Sequence, residues 1–291
     1  MIHQAVMVTE VQNNLITDLN GLYLDCTFGS GGHSNIILSC LGPKAKLVSF
    51  DKDPSVEASI PSNLSKDKRF KFICDSFNHL SKYIKTDQVT GILFDFGIST
   101  TQLDNPERGF SFRLDGPLDM RINQSEGITA KDWINTATEE EMSDVFWNLG
   151  EERNSRRIAK QIFLYRQTKA ILNTRDLVEI ILRTVKRRGK KHPATNIFRA
   201  IRMIVNSELE QIKTGLESAS KALSVGGRLA VISFHSLEDR IVKRFIQGKD
   251  RSDLNINFSY VGKKFYKPER DEINNNPRSR SAILRIAEKL N

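Results

Sequence analysis

The sequence predicts an α/β protein built on a mostly parallel sheet and interrupted by a helical insert. Short apolar runs ending in an acidic residue recur between residues 22 and 96, a glycine-rich turn follows the first of them, and residues 97–226 separate the fourth run from the fifth. Strands spaced in this way, alternating with helical patterns, read as βαβ units. The long gap shows helical periodicity and is too long for a single crossover, so it reads as an inserted domain rather than a loop.

Taken in order, Leu22-Tyr23-Leu24-Asp25 is a first strand and residues 34–40 a helix, closed by Gly42-Pro43. Residues 46–51, 70–75 and 91–96 are three further strands, and 227–234 is the fifth. Inside the gap, Ile158, Ile162 and Tyr165 share one helix face, and Leu177, Ile180 and Ile181 another. Thr174 is the expected N-cap of the latter helix, with Asp176 in its first turn. After Pro193, the stripe Ile197, Ile201, Ile204, Val205, Leu209, Ile212 and Leu216 predicts one long helix. Residues 281–286 alternate as a last, antiparallel strand. The expected organisation is a sheet domain in two parts, 1–103 and 193–291, around a helical domain at 104–192.

The chain has 291 residues and a net charge of +9, from 44 basic and 35 acidic side chains. Residues 1–102 carry 9 basic and 10 acidic groups, so the excess lies in the remainder, which suits a polyanion such as RNA or a set of solvated faces. No apolar run reaches the roughly 18 residues of a membrane helix, and the first residues resemble neither a signal nor a transit segment. Cys26, Cys40 and Cys74 lack metal or redox spacing, which points to a reducing, cytoplasmic setting and to no metal. A homodimer is left open.

The turn Asp25-Cys26-Thr27-Phe28-Gly29-Ser30-Gly31-Gly32-His33 follows the first strand and opens a helix. Glycines there let backbone approach a ligand and supply N–H donors at a helix N-terminus. A dinucleotide fingerprint would need a small residue at Ser34, an imperfect fit. The acidic Asp25 favours a ligand bearing cationic groups, such as S-adenosylmethionine, over NAD. Asp51, 22 residues after Gly29, is placed for a ribose diol. Phe77 can stack on an adenine whose amino group Asp75 accepts from. Equally, Phe77 can be core, and Asp75 and Asp95 helix caps.

Further blocks narrow the choice: Asp95-Phe96-Gly97-Ile98-Ser99-Thr100-Thr101-Gln102, Arg108-Gly109-Phe110-Ser111-Phe112-Arg113, Asp115-Gly116-Pro117-Leu118-Asp119-Met120-Arg121 and Ile232-Ser233-Phe234-His235-Ser236-Leu237-Glu238-Asp239-Arg240. With His192-Pro193-Ala194-Thr195 and Asn276-Pro277-Arg278-Ser279-Arg280-Ser281, they make the chain resemble the RsmH (MraW) family from His3 to about Lys289. The resemblance implies a Rossmann-like class I methyltransferase, with a mostly parallel seven-stranded sheet and an inserted helical domain. It also implies S-adenosyl-L-methionine as cofactor and N4-methylation of a cytidine of small-subunit (16S) ribosomal RNA near the decoding centre. The assembled small subunit is the expected partner. The family's cofactor contacts fall on Gly31, Gly32, His33, Asp51, Phe77, Asp95 and Gln102. Thr100 and Thr101 stand where the family has a second Ser and a Pro, which frees the turn before Gln102.

Methylating an exocyclic amino group requires holding a poor nucleophile in line with a sulfonium methyl and stabilising the charge of its departing proton. Asp95, Ser99 and His235 are the candidate catalytic residues. Asp95, or the turn carbonyls beside it, accepts from the target amino group, or else Asp95 only orients the cofactor. Ser99 is expected to line the pocket, and His235 to touch the nucleotide, while Ser236 and Asp239 have the spacing of a capping box. Candidate phosphate contacts are Arg183, Lys186, Arg187, Arg188, Lys190, Lys191, Arg278 and Arg280. Arg108, Arg113 and Arg121 are candidates for a substrate cleft.

Overall fold

The structure, a computed structural model, describes residues 5–186, 192–252 and 255–291. It divides into two compact units, Met1–Gly97 with Leu209–Asn291, and Ile98–Glu208.

The first unit carries one seven-stranded sheet. Its strands are β1 Leu22–Asp25, β2 Lys46–Asp51, β3 Phe70–Cys74, β4 Val89–Asp95, β5 Leu223–Ser233, β6 Phe258–Tyr260 and β7 Ile283–Lys289. Their order is β3-β2-β1-β4-β5-β7-β6. β1 to β5 run parallel and β7 and β6 antiparallel, so the fold is the α/β Rossmann-like class that the sequence predicts. Among the described residues no helix is long and apolar enough to cross a membrane.

Alternation assigns side chains to the two faces of the sheet. Leu24, Ile92, Phe94, Leu229 and Val231 pack on one side with Leu216, Val242 and Phe245. Tyr23, Leu47, Leu93, Ala230 and Ile232 pack on the other with Val11, Leu15, Ile37 and Leu38. Each buried Leu, Ile, Val or Phe among them contributes about 1.5–3 kcal/mol. A register slip of one residue would exchange the faces, so the pairing of β1 with β2 and β4 is tightly specified. That pairing fixes where the strand-end acids lie. β6 is the element with no sequence signal: three residues at the sheet edge, held by pairing Ser259 with Glu288.

The second unit packs Phe110, Leu118, Met120, Ile134, Phe146, Ile158, Ile162, Leu177 and Ile181 into a core of its own. Ala194, Ile197, Phe198 and Ile201 belong to it as well. Residues 193–208, assigned from sequence to the sheet domain, therefore sit with the helical unit, and so do 98–103. The long helix expected after Pro193 is two helices, Ala194–Val205 and Glu208–Ala222. Ser207 breaks the run with φ +48°. Asn206 holds the break: its Oδ1 accepts from Ile122 N–H at 2.8 Å, and its Nδ2 donates to the Met120 carbonyl at 2.7 Å. The apolar stripe continues in phase across this break, which hides it from a periodicity argument. Asn173, not Thr174, is the N-cap of helix Thr174–Thr184. The Thr174 hydroxyl instead donates to the Leu114 carbonyl at 2.9 Å.

Replacing Asn206 with Ala leaves a backbone N–H and a carbonyl without partners. The expected loss is about 2 kcal/mol of stability, read as a lower midpoint in urea with an unchanged slope.

Candidate cofactor and active site

The glycine loop is the continuation of β1 between its two neighbours. Cys26 N–H donates to the Leu93 carbonyl and Phe28 N–H to the Phe50 carbonyl, each at 2.9 Å. Gly29 N–H donates to Asp51 Oδ2 at 2.8 Å, and Asp95 N–H donates to Thr27 Oγ1 at 2.6 Å. The loop thus touches the ends of both β2 and β4. Gly31 then starts helix Gly32–Cys40 with φ +77°. A Cβ there would stand 2.7 Å from Phe28 Cζ, so glycine is required on conformational and steric grounds. Its N-cap residue, Gly31, makes no side-chain cap among the described residues, which leaves first-turn N–H groups to another acceptor.

Asp25 does not face a ligand. It is fully buried, accepting from Ser34 Oγ at 2.6 Å and Thr27 N–H at 3.2 Å. Ser34 also bonds Ser49 Oγ at 2.7 Å. The residue that fits a dinucleotide fingerprint poorly is therefore the one that ties the helix to β1 and β2. Burial pushes the Asp25 carboxyl up, and the Ser34 bond and the nearby His33 only partly reverse this.

His33 lies on the first turn, with Nε2 3.6 Å from Asp95 Oδ2; the two side chains are 6% and 19% exposed. This is an ion-pair distance, beyond a hydrogen bond. Among the described residues, both ring nitrogens of His33 and Asp95 Oδ1 are buried without a hydrogen-bond partner. Burial works against the charged imidazole, but Asp95, Asp25 and Glu272 outweigh it and hold the His33 pKa above its ordinary value. Glu272 lies outside every motif read from the sequence. It accepts from Met7 N–H at 2.8 Å, joining two segments 265 residues apart. Nothing local in the sequence announces this contact.

Asp51 is held by two backbone donors, Gly29 N–H and Asp53 N–H, the second at 3.0 Å. Burial pushes its carboxyl up to about 6, with these bonds pulling the other way. Asp75 bonds His79 Nδ1 at 2.7 Å and Tyr83 OH at 2.8 Å. Phe77 is half-buried and meets Phe94 edge-on at 5.3 Å. A Cβ at Gly215 would come within 2.5 Å of the Phe77 ring, so that glycine makes its seat.

β4 ends in Asp95, and Gly97 follows at φ +112°. His235 is the N-cap of helix Ser236–Ile246 just beyond β5, and the capping box is His235 with Glu238 rather than Ser236 with Asp239. Its Nδ1 accepts from Glu238 N–H at 3.4 Å, and Nε2 lies 3.0 Å from Glu238 Oε1 without hydrogen-bond alignment. Asp239 instead holds Arg285 through two bonds of 2.7 and 2.9 Å.

In the helical unit, Ser99 and Gln102 cap one another. Ser99 Oγ accepts from Gln102 N–H at 3.2 Å, and Gln102 Oε1 accepts from Ser99 N–H at 3.0 Å. Thr101 Oγ1 bonds Ser99 Oγ at 2.8 Å. This reciprocal cap, rather than a proline, fixes the turn. Two of the arginines considered for a substrate cleft have internal duties. Arg108 is buried and donates to the Arg121 and Ile122 carbonyls, while Arg121 forms a two-bond pair with Asp119. Arg113 lies over Phe112, 5.9 Å from the ring centroid. Arg183 pairs with Glu179 at 3.2 Å. Lys186, Arg278 and Arg280 are exposed, and Arg187, Arg188, Lys190 and Lys191 lie outside the described residues.

The profile of the MraW methylase family matches residues 1–290. The chain belongs to that family. It is 47% identical to the ribosomal RNA small subunit methyltransferase H of Marinomonas sp. (strain MWYL1), covering 99% of this chain and 97% of the relative. The protein of the same name from Coxiella burnetii (strain Dugway 5J108-111) is 44% identical over 99% of both chains. That from Shewanella loihica is also 44% identical, over 99% and 97%. This methylase draws its methyl group from S-adenosylmethionine. The loop fits such a ligand. An uncapped helix start and a raised imidazole offer donors to a carboxylate, and Asp95 Oδ1 offers an acceptor to an ammonium.

The raised Asp51 pKa makes stability depend on pH. The folded state binds this proton more tightly than the unfolded chain, so the favourable contribution is complete below the ordinary value of 3.8 and is lost as pH rises through about 6. From pH 4 to pH 7 the wild type should lose on the order of 2 kcal/mol relative to Asp51→Asn. Denaturant titrations of both proteins across that range provide the check.

Proposed function

We propose that this methylase transfers a methyl group from S-adenosylmethionine to the N4 of a cytidine in small-subunit (16S) ribosomal RNA near the decoding centre, acting on the assembled small subunit. The observation that carries this reading is the 44–47% identity, over 99% of this chain, to proteins named ribosomal RNA small subunit methyltransferase H. A large inserted unit and a basic second part suit a folded ribonucleoprotein.

Gly31, Gly32 and His33 take the amino-acid end of the cofactor, Asp51 its ribose, and Phe77 walls the adenine side. S-adenosylmethionine supplies the electrophilic methyl. The lone pair of the cytosine amino group is delocalised into the ring, so the residues must orient it and stabilise the charge left as its proton departs. Asp95 is suited to both: Oδ2 faces His33, and Oδ1, with two lone pairs, can accept from the cofactor ammonium and from the target amino group. His235 stands at the end of the next strand, where it contacts the nucleotide. Ser99 and Gln102, following Asp95 in the chain, are assigned to substrate and cofactor on sequence position. The base must be unstacked to react.

The direct test uses labelled S-adenosylmethionine and small subunits lacking the modification, followed by nuclease digestion and mass spectrometry. N4-methylated cytidine at one site is the expected product. No transfer, with cofactor binding intact by calorimetry, would refute the substrate assignment. Transfer to naked RNA as efficient as to subunits would refute the assembled substrate. Asp95→Ala should bind cofactor more weakly and, at saturating S-adenosylmethionine, still lose turnover by about 100-fold or more. Turnover restored at saturating cofactor would assign Asp95 to orienting the cofactor alone.

A further inference from the structure

Phe265 is a large apolar side chain left 44% exposed on a segment that is otherwise strongly basic. Residues 262–285 carry seven basic side chains against three acidic. Lys263, Lys264, Lys267 and Arg270 are exposed there, and none is in an ion pair among the described residues.

The segment is held in place. Tyr266 N–H donates to the Leu284 carbonyl at 2.8 Å, and Leu284 N–H donates back at 3.1 Å, a bridge that adds Tyr266 to the sheet beside β7. The Tyr266 hydroxyl accepts from Lys263 N–H and donates to the Val261 carbonyl, both at 3.3 Å. Gly262 turns the chain at φ +66°, and a Cβ there would collide with that hydroxyl at 2.3 Å. Over the Phe265 ring stand the fixed Arg285 guanidinium, its carbon 5.7 Å from the centroid, and the exposed Lys267, whose Nζ is 5.9 Å from it and is the cation a base would displace. Arg285 is itself fixed by Asp239 and by a 2.8 Å bond to the Lys264 carbonyl.

Sheet register places this platform relative to the reacting end. Asp95 is level with Ile232, Ile232 with Leu284, and Leu284 with Tyr266. Three strand spacings separate Asp95 from Tyr266, about 14 Å along one row of the sheet. That span is about four stacked nucleotide steps.

An apolar partner would have to desolvate the surrounding ammonium groups, whereas single-stranded RNA offers a base to the ring and phosphates to the cations. We propose that Phe265 is a stacking platform for a nucleotide about four steps along the strand from the target base, with Lys263, Lys264, Lys267 and Arg270 contacting the adjoining phosphates. The proposal rests on the RNA-methylase reading above and adds a substrate-positioning residue to it.

Two measurements test it. Phe265→Ala should raise the KM for small subunits about tenfold, leave kcat and S-adenosylmethionine affinity unchanged, and be rescued by Phe265→Tyr. In Phe265→Trp, a single-stranded RNA oligonucleotide should quench fluorescence beyond the change seen in wild type, and high salt should abolish that quenching. A KM within twofold of wild type in Phe265→Ala would overturn the platform. So would a raised KM without quenching by RNA, which would indicate a protein contact. If the wild type transfers no methyl to subunits, the functional reading fails, and the oligonucleotide titration alone still decides the platform.

Discussion

Parallel pairing of β1 with β2 and β4 brings three carboxylates, Asp25, Asp51 and Asp95, to one edge of the sheet. Their charges oppose one another, and burial raises the opposition further. Much of the loop geometry answers this constraint. Asp25 is held by Ser34 and Thr27, Asp51 by the N–H groups of Gly29 and Asp53, and the His33 imidazole faces Asp95. The same glycine turn that neutralises the acids leaves His33 and Asp95 with buried polar atoms lacking hydrogen bonds. Such atoms are costly in a closed protein and useful in one that closes on a polar ligand.

Most of the sheet was legible because its central strands are apolar runs that stop at an acid. β1 and β2 match their expected bounds, and β3, β4 and β5 differ only at their ends. Periodicity failed where two different cores share one phase. Ile197 and Ile201 serve the helical unit, Ile212 and Leu216 lie in the other, and only the backbone at Asn206 and Ser207 separates them. Hence the boundary moved from 192 to 208.

The site was legible as a set of positions and less so as a set of roles. Gly31 opens the helix after β1, and His33 on its first turn stands 3.6 Å from Asp95 at the end of β4. Asp25 reads in the sequence as facing a ligand, but it is fully buried and bonded by Ser34, whose hydroxyl carries no mark of that duty, and Asp75 likewise takes local bonds from His79 and Tyr83. His235 caps its own helix because Glu238 is three residues on, a pattern that also fits Ser236 and Asp239 one step later. Glu272 meets Met7 only through the fold.

The central claim is that the loop between β2 and β4, with its unbonded His33 and Asp95 atoms, is the cofactor seat. A crystal structure with S-adenosylhomocysteine tests it most directly. The account predicts the amino-acid end at Gly31–His33, a ribose hydroxyl on Asp51, and hydrogen bonds to His33 and Asp95 Oδ1 that replace their missing partners. A ligand bound elsewhere, or one bound there with both side chains still unbonded, would contradict it.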